Sequence, residues 1–406
     1  MNVDYPPETD AFREEIRAFL RRELPADWAG LGALDEEAAR EFTAWWRTRM
    51  ASVGWLTPSW PREYGGAGLS RIEQVVLAEE FARAGVPVRG ANDVFSVKMI
   101  GNLLLAFGTE EQKRRFLPRI VSGEDRWCQG FSEPDAGSDL AALRTRARLM
   151  DGEWVIDGQK IWTSDARTAN WMFLLARTDP DAAKHAGITM LLVPMDQPGI
   201  TIRPIHMITG GNNFNEVFLD GARTAEHNVV IGPGQGWRAA MALLGLERGD
   251  EAATNPIFFR AEVDRLIALA QERGLAGEGY VRDQLARAVT RAEIMRYLGL
   301  RTLTGWLKGE TSGADASVSK LYWSEHHRET ADLAVSLLGA DALVPTGRRP
   351  IRHYRTDDPD APNSSASWVG TWLTAISGTI YAGTSEVQRN ILAEVVLGLP
   401  KEQRVT

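Results

Sequence analysis

The 406-residue chain has a single cysteine, Cys128. No intrachain disulfide can form and no cysteine cluster can bind a metal, which suits a reducing compartment. No basic block occurs: 46 Lys and Arg stand against 54 Asp and Glu, a formal net charge of −8. That balance argues against a nucleic-acid partner. No uninterrupted apolar run approaches the ~20 residues of a membrane span. The first residues, MNVDYPPETDAFREEI, carry acids where a secretory signal has a basic start and an apolar core, so a cytoplasmic location is expected. G-x-S-x-G, the P-loop and a G-x-G-x-x-G opening a helix are all missing, as is any internal repeat. The six histidines suggest no metal site. His326 and His327 are adjacent and diverge by about 100° on a helix, so a packing or solvated role is expected.

What is present is the composition of a globular protein, 44% hydrophobic and 25% charged, long enough for two or three structural units. The N-terminal third reads helical. TDAFREEIRAFLRREL, with Thr9 as its expected N-cap, puts Phe12, Ile16, Phe19 and Leu20 on one face. LDEEAAREFTAWWRTRMASVG, SRIEQVVLAEEFARAG and NLLLAFGTEEQKRRFLPRIVSGE continue the style, with PSWPREYGGAG as a loop. After Trp127 the pattern changes. Asp151-Gly152 and Asp157-Gly158 both read as hairpin turns, and NWMFLLAR, GITMLLVPM, GITIRPIHMI and NEVFLDG read as strands. From Gly236 long amphipathic helices return and suit an antiparallel four-helix bundle, broken by the polar loop RTDDPDAPNSSAS. Ser385 and Gln388 fit a capping box for the last helix. The expected fold is therefore α+β and multidomain: a helical domain over 1–126, an antiparallel β-domain over 127–232 and a helix bundle over 233–406.

Three segments carry candidate chemistry. FSEPDAGSD, Phe131 to Asp139, is either a connecting loop or one whose free N–H groups and hydroxyls meet an anion. GQKIWTSDA sets Trp162 beside Thr163 and Ser164, which suits either ordinary packing or the face of a flat heterocycle such as a flavin. LLGLERGDEAA places Glu247 and Arg248 on an apolar helix. Glu247 is either a surface or ion-paired residue or a desolvated general base.

Together these segments resemble the acyl-CoA dehydrogenase family over nearly the whole chain. FSEPDAGSD resembles the family's T/S-E-P-x-A-G-S-D loop, and VIDGQKIWTSDA its N-G-x-K-x-W-x-T/S-N strand. NVVIGPGQGW, LLGLERG and IYAGTSEVQRNILAEVVLG follow in the family's order. The resemblance implies FAD as cofactor, acyl-CoA or an acyl-carrier thioester as substrate, an electron-transfer flavoprotein as acceptor, and a tetramer of identical or related subunits. It implies that Ser132 bonds the flavin ring, that Ser138 lines the pyrophosphate and thioester region, that Trp162 packs on the isoalloxazine and that Ser164 sits beside the hydride-accepting nitrogen. Gln129, Phe131, Gly137 and Thr163 belong to the same implied surface, with Thr384 and Glu386 on the bundle side.

The implied reaction removes an α-proton with a carboxylate while hydride passes from the β-carbon to the flavin. Carbonyl contacts come in part from a backbone N–H of the Y-x-G-T segment, here Tyr381, Ala382, Gly383 and Thr384. Many members carry the catalytic Glu where this chain has Ala382. Isovaleryl- and long-chain-type members carry it on the first long bundle helix, where Glu247 stands. Arg248 follows that position, in a mostly structural role beside the substrate. Many members also have an R-x-x-F-G loop that reaches the neighbouring subunit's FAD. Here Arg273 is present without the Phe-Gly, so a related subunit completing the site is an alternative, as are a scaffolding subunit and a flavin monooxygenase on the same scaffold.

Overall fold

Helical periodicity at both ends of the chain and strand alternation between them build the architecture. A computed structural model describes residues 7–87, 90, 92–246, 251–309, 313–344 and 368–401. Helices α1 (Glu8–Glu23), α2 (Glu36–Ser52), α3 (Arg71–Arg83), α4 (Asn102–Phe107) and α5 (Glu110–Ser122) precede seven strands. These are β1 (Trp127–Gly130), β2 (Arg146–Met150), β3 (Glu153–Ser164), β4 (Trp171–Arg177), β5 (Ile188–Pro194), β6 (Ile200–Pro204) and β7 (Phe214–Ala225). Helices α6 (Gly236–Leu246), α7 (Glu251–Glu272), α8 (Gly279–Leu307), α9 (Gly313–Leu338), α10 (Trp368–Gly378) and α11 (Ser385–Asn390) follow. Contacts divide the chain into two units, one of residues 1–42, 69–88 and 249–406, the other of residues 43–68 and 89–248.

In the second unit the sheet order is β1-β4-β2-β3-β7-β6, with β5 on β4. The pairing is largely antiparallel, as expected, but β1 runs parallel to β4 and β2 meets β4 in parallel at Arg146 and Arg177. Strands β4 and β5 are near-continuous buried apolar runs, whereas β3 and β7 alternate. Met172, Leu174, Leu191 and Val193 form the centre of this core. Asp151-Gly152 makes the expected tight turn between β2 and β3, with φ of 52° and 81°. Asp157-Gly158 does not. It lies inside β3, where the register against β7 shifts between Ile156 and Gly158. Asp157 Oδ1 accepts the Gly221 N–H at 2.9 Å, and a Cβ at Gly158 would stand 2.5 Å from Thr145 Oγ1. The Asp-Gly pair is thus a β-bulge, which uses the same positive-φ glycine chemistry as a turn.

In the first unit α1 packs on α3 and α3 on α7. Glu80 of α3 receives Arg17 of α1 at 2.8 Å and also pairs with Arg13. Helices α7, α8, α9 and α10 form the four-helix group. The first long C-terminal helix, expected within the bundle, is instead α6, which groups with the β unit. Its place is taken by α10, which the sequence reading did not single out. Pro256 lies within α7. Helix α1 is entered from Pro7 rather than Thr9. The polar loop RTDDPDAPNSSAS lies outside the described residues. His326 and His327 are fully packed, and His327 Nδ1 lies 3.0 Å from Glu262 Oε1. Burial pushes the His326 imidazole down to about 3, so it is neutral.

Candidate functional site

Within the β unit, the structure brings the two flavin-suggesting segments into direct contact. The Ile161 N–H of β3 donates to Ser132 O at 2.9 Å. Phe131 is buried against Phe173 of β4, ring centroids 5.8 Å apart. Gln129, paired with Phe173 on β1, is half-buried, and Ser132 beside the loop's start is also half-buried. Gly137 and Ser138 are exposed. Their N–H groups have no acceptor among the described residues, and a Cβ at Gly137 would meet nothing within 4 Å.

Trp162 stands at a second bulge of β3. Its neighbours Lys160 and Thr163 pair with Val217 and Asn215, so two residues of β3 oppose one of β7. Trp162 has φ 59° and its side chain is 55% exposed, with an edge contact to Phe214. A left-handed backbone costs an L-residue about 1–2 kcal/mol. A large aromatic held in that conformation and turned outward is an observed outlier of the kind that clusters at ligand sites. Thr163 is buried, and its Oγ1 has no partner among the described residues. Ser164 is half-buried at the strand's end. Asn92, itself at φ 61°, fixes that end: its Nδ2 bonds Trp127 O at 3.2 Å and its Oδ1 accepts Thr168 Oγ1 at 2.9 Å.

Sequence reasoning missed the pair beneath these groups. Lys160 is fully buried, and its Nζ lies 2.8 Å from Glu133 Oε1 and 3.1 Å from Phe131 O. Glu133 also accepts the N–H groups of Arg144 at 2.7 Å and Thr145 at 2.9 Å. The available signal was a Glu and a Lys, one in each candidate motif. Burial pushes the Lys160 amine down to about 8. Burial also acts to raise Glu133, but Lys160's charge and the hydrogen bonds outweigh it and hold the carboxyl below its ordinary value. The pair is therefore charged at neutral pH.

Within the helical unit, α10 ends in a turn that holds the Tyr381–Thr384 segment. Ala382 and Gly383 are both left-handed, φ 52° and 86°. Their N–H groups have no acceptor among the described residues. Buried Gln388 donates from Nε2 to Ala382 O at 3.0 Å. A Cβ at Gly383 would stand 2.5 Å from that nitrogen. Thr384, not Ser385, is the N-cap of α11, accepting Val387 N–H at 3.1 Å. Ser385 Oγ instead donates to Glu325 at 2.7 Å. Tyr381 is 38% exposed, its ring 6.3 Å from Trp323. Glu386 is exposed near Arg389. Arg273 pairs with Asp341 of its own chain. Glu247 and Arg248 lie outside the described residues.

Three domains of one family match: acyl-CoA dehydrogenase N-terminal over residues 6–124, middle over 128–222 and C-terminal over 234–397. The chain belongs to the acyl-CoA dehydrogenase family, and is a flavin-dependent oxidoreductase. It is 42% identical over 403 residues to acyl-CoA dehydrogenase IpdE1 of Mycobacterium tuberculosis, covering 98% of this chain and 99% of that one. IpdE1 of Mycolicibacterium smegmatis is 40% identical, with 97% and 99% covered. Among solved structures, the Tcur3481-Tcur3483 steroid ACAD aligns with TM-score 0.80 and 34% identity, covering 99% of this chain and 100% of that chain. The ChsE4-ChsE5 complex from Mycobacterium tuberculosis aligns with TM-score 0.79 and 30% identity, covering 99% and 100%.

Proposed function

We propose that this chain carries out FAD-dependent α,β-dehydrogenation of an acyl-CoA thioester whose acyl group is bulky and ring-bearing. The observation that carries the substrate class is the whole-length similarity to a protein titled a steroid ACAD. Ala382 supports it, because the small side chain leaves room where many members have Glu. The donor set suits FAD: the open face of Trp162, the hydroxyls of Ser132, Ser138 and Ser164, and the free amides at Gly137 and Ser138. Bound FAD supplies the hydride acceptor. Gln129, Phe131 and Thr163 support that surface, and Thr384 and Glu386 are further cofactor residues in this reading.

Glu247 takes the α-proton in this reading, and Arg248 beside it in sequence has a structural role next to the substrate. The free N–H groups of Ala382 and Gly383 hold the thioester carbonyl as charge develops, beside Tyr381. One well-placed donor of this kind is worth about 3–4 kcal/mol. The functional division follows residues 1–126, 127–232 and 233–406. The protein works in the cytoplasm as a tetramer and passes electrons to an electron-transfer flavoprotein.

A second reading is favoured by one specific observation. Arg273 is engaged by its own chain's Asp341, and no Phe-Gly follows it. The two solved relatives are titled with two different chains each. A related subunit would then complete the cross-subunit FAD contacts. The test is a visible spectrum of the protein purified alone and with a co-expressed related chain, followed by anaerobic titration. Flavin bleaching by a steroid-derived CoA thioester is the expected result. Bleaching by straight-chain thioesters alone would remove the substrate class, and a colourless protein in both preparations would remove FAD.

A further inference from the structure

A buried ion pair is a poor source of net stability, because desolvation of both charges offsets their attraction. An apolar pair of similar volume would serve the core of the β unit as well. What an apolar pair could not do is fix polar atoms of three separate segments at once. Lys160 and Glu133 do that. Lys160 Nζ holds Phe131 O, one residue before Ser132, while Glu133 holds the N–H groups of Arg144 and Thr145 at the loop's exit into β2. Inside the loop, Glu133 and Ala136 exchange backbone hydrogen bonds at 3.0 and 3.1 Å. Lys160 is also the last residue in register before the bulge that turns out Trp162.

We propose that Lys160 and Glu133 are positioning residues for the cofactor. Their buried pair locks the loop carrying Ser132 and Ser138 onto the bulge carrying Trp162 and Ser164, so that two distant stretches of chain present one preformed flavin surface. Neither residue touches the flavin in this account. Both act by removing the freedom of the residues that do, and preorganisation of that kind appears directly in affinity. The inference rests on the proposed use of FAD.

The test uses the full chain and compares wild type, Lys160→Met, the neutral double variant Glu133→Gln/Lys160→Met, and Leu192→Ala. Leu192 is a fully buried residue of β5, opposite Phe173, and its truncation lowers stability while removing no hydrogen bond of the Lys160–Glu133 pair. For each, the FAD dissociation constant, the visible spectrum of bound flavin, far-UV circular dichroism and Tm are measured. Both pair variants are expected to weaken FAD binding about tenfold or more and to shift the bound flavin's spectrum, the size expected when a preformed site is released. Leu192→Ala is expected to lose Tm with little change in FAD affinity. Lys160→Met strands a buried carboxylate; if it fails to fold, the double variant decides. A folded double variant with wild-type FAD affinity and spectrum overturns the proposal. So does a loss of affinity no greater than that of Leu192→Ala at equal loss of Tm. A wild-type chain that takes up no FAD, alone or with a related subunit, overturns instead the functional reading beneath it.

Discussion

Gly383→Ala tests the turn at the end of α10 most sharply. The new Cβ would stand 2.5 Å from Gln388 Nε2, at a residue with φ 86°. Holding an L-residue in that conformation costs about 1–2 kcal/mol. Gln388 is buried and bonds Ala382 O at 3.0 Å, so displacing its amide forfeits a further bond of about 1 kcal/mol. The total destabilisation is then about 2–3 kcal/mol. The catalytic effect should be larger, since a misplaced carbonyl donor costs about 100- to 1000-fold in kcat. Thermal unfolding reads the first quantity, and the anaerobic rate of flavin bleaching at saturating thioester reads the second. Gln388→Ala removes the obstruction, so Gly383→Ala should cost less in that background, with a coupling of about 1 kcal/mol. A bleaching rate within about twofold of wild type would refute the role of the turn amides. Strictly additive stability losses would refute the steric argument.

Other consequences follow from single contacts. Glu247→Gln should abolish bleaching, and adding Ala382→Glu, at an exposed position of the turn, should restore part of it; no restoration would mean the two positions do not serve one carbon. Trp162→Ala should weaken FAD binding while leaving Tm nearly unchanged, because a mostly exposed ring contributes little packing; a large Tm loss with intact affinity would contradict this. Glu80 has a pKa below its ordinary 4.5: burial acts to raise it, but the hydrogen bonds from Arg17 and Arg13 outweigh that. Its stabilising contribution is therefore present above pH 4.5 and lost as pH falls through the folded value, so Glu80→Gln should flatten the acid limb of a Tm-versus-pH curve, with no change above pH 6 relative to its own plateau.

How much was legible beforehand depended on whether a feature was local. Asp151-Gly152 and Asp157-Gly158 are the same dipeptide, and only the first is a hairpin turn. Nothing within a few residues separates them. The second is a bulge because Thr145 and Gly221 approach it from other strands. The strand and helix segments were readable because period and capping are local, as with Thr109 and Gln112, which cap α5 reciprocally. The cap of α11 was misassigned by one residue because Ser385 is drawn away by Glu325, a residue 60 positions earlier. Trp162 was legible as an aromatic beside hydroxyls. Its outward turn was not, because positive φ in a β-strand comes from the register with β7. The Lys160–Glu133 pair was illegible for the same reason: 27 residues separate its members, and their meeting depends on how the loop folds back over β3.

The alanine at 382 bears on what the segment must preserve when its acid is gone. Ala382 keeps φ 52° without glycine's freedom, and buried Gln388 holds its carbonyl from behind. Glycine follows at 383, where any side chain would strike that same amide. The arrangement fixes the direction of two unpaired N–H groups at a cost in backbone strain. Such strain persists only where surrounding contacts over-determine it, so the amides are the part of the turn under constraint. With Glu247 as the proposed base, moving the acid away from 382 is chemically inexpensive, because a carboxylate on a flexible side chain can approach a carbon from several directions. The amides of 382 and 383, proposed to hold the carbonyl, cannot be moved without rebuilding the turn. Ala382→Gly should accordingly raise mobility at 382 and lower kcat while leaving Tm within about 1 kcal/mol of wild type in equivalent stability.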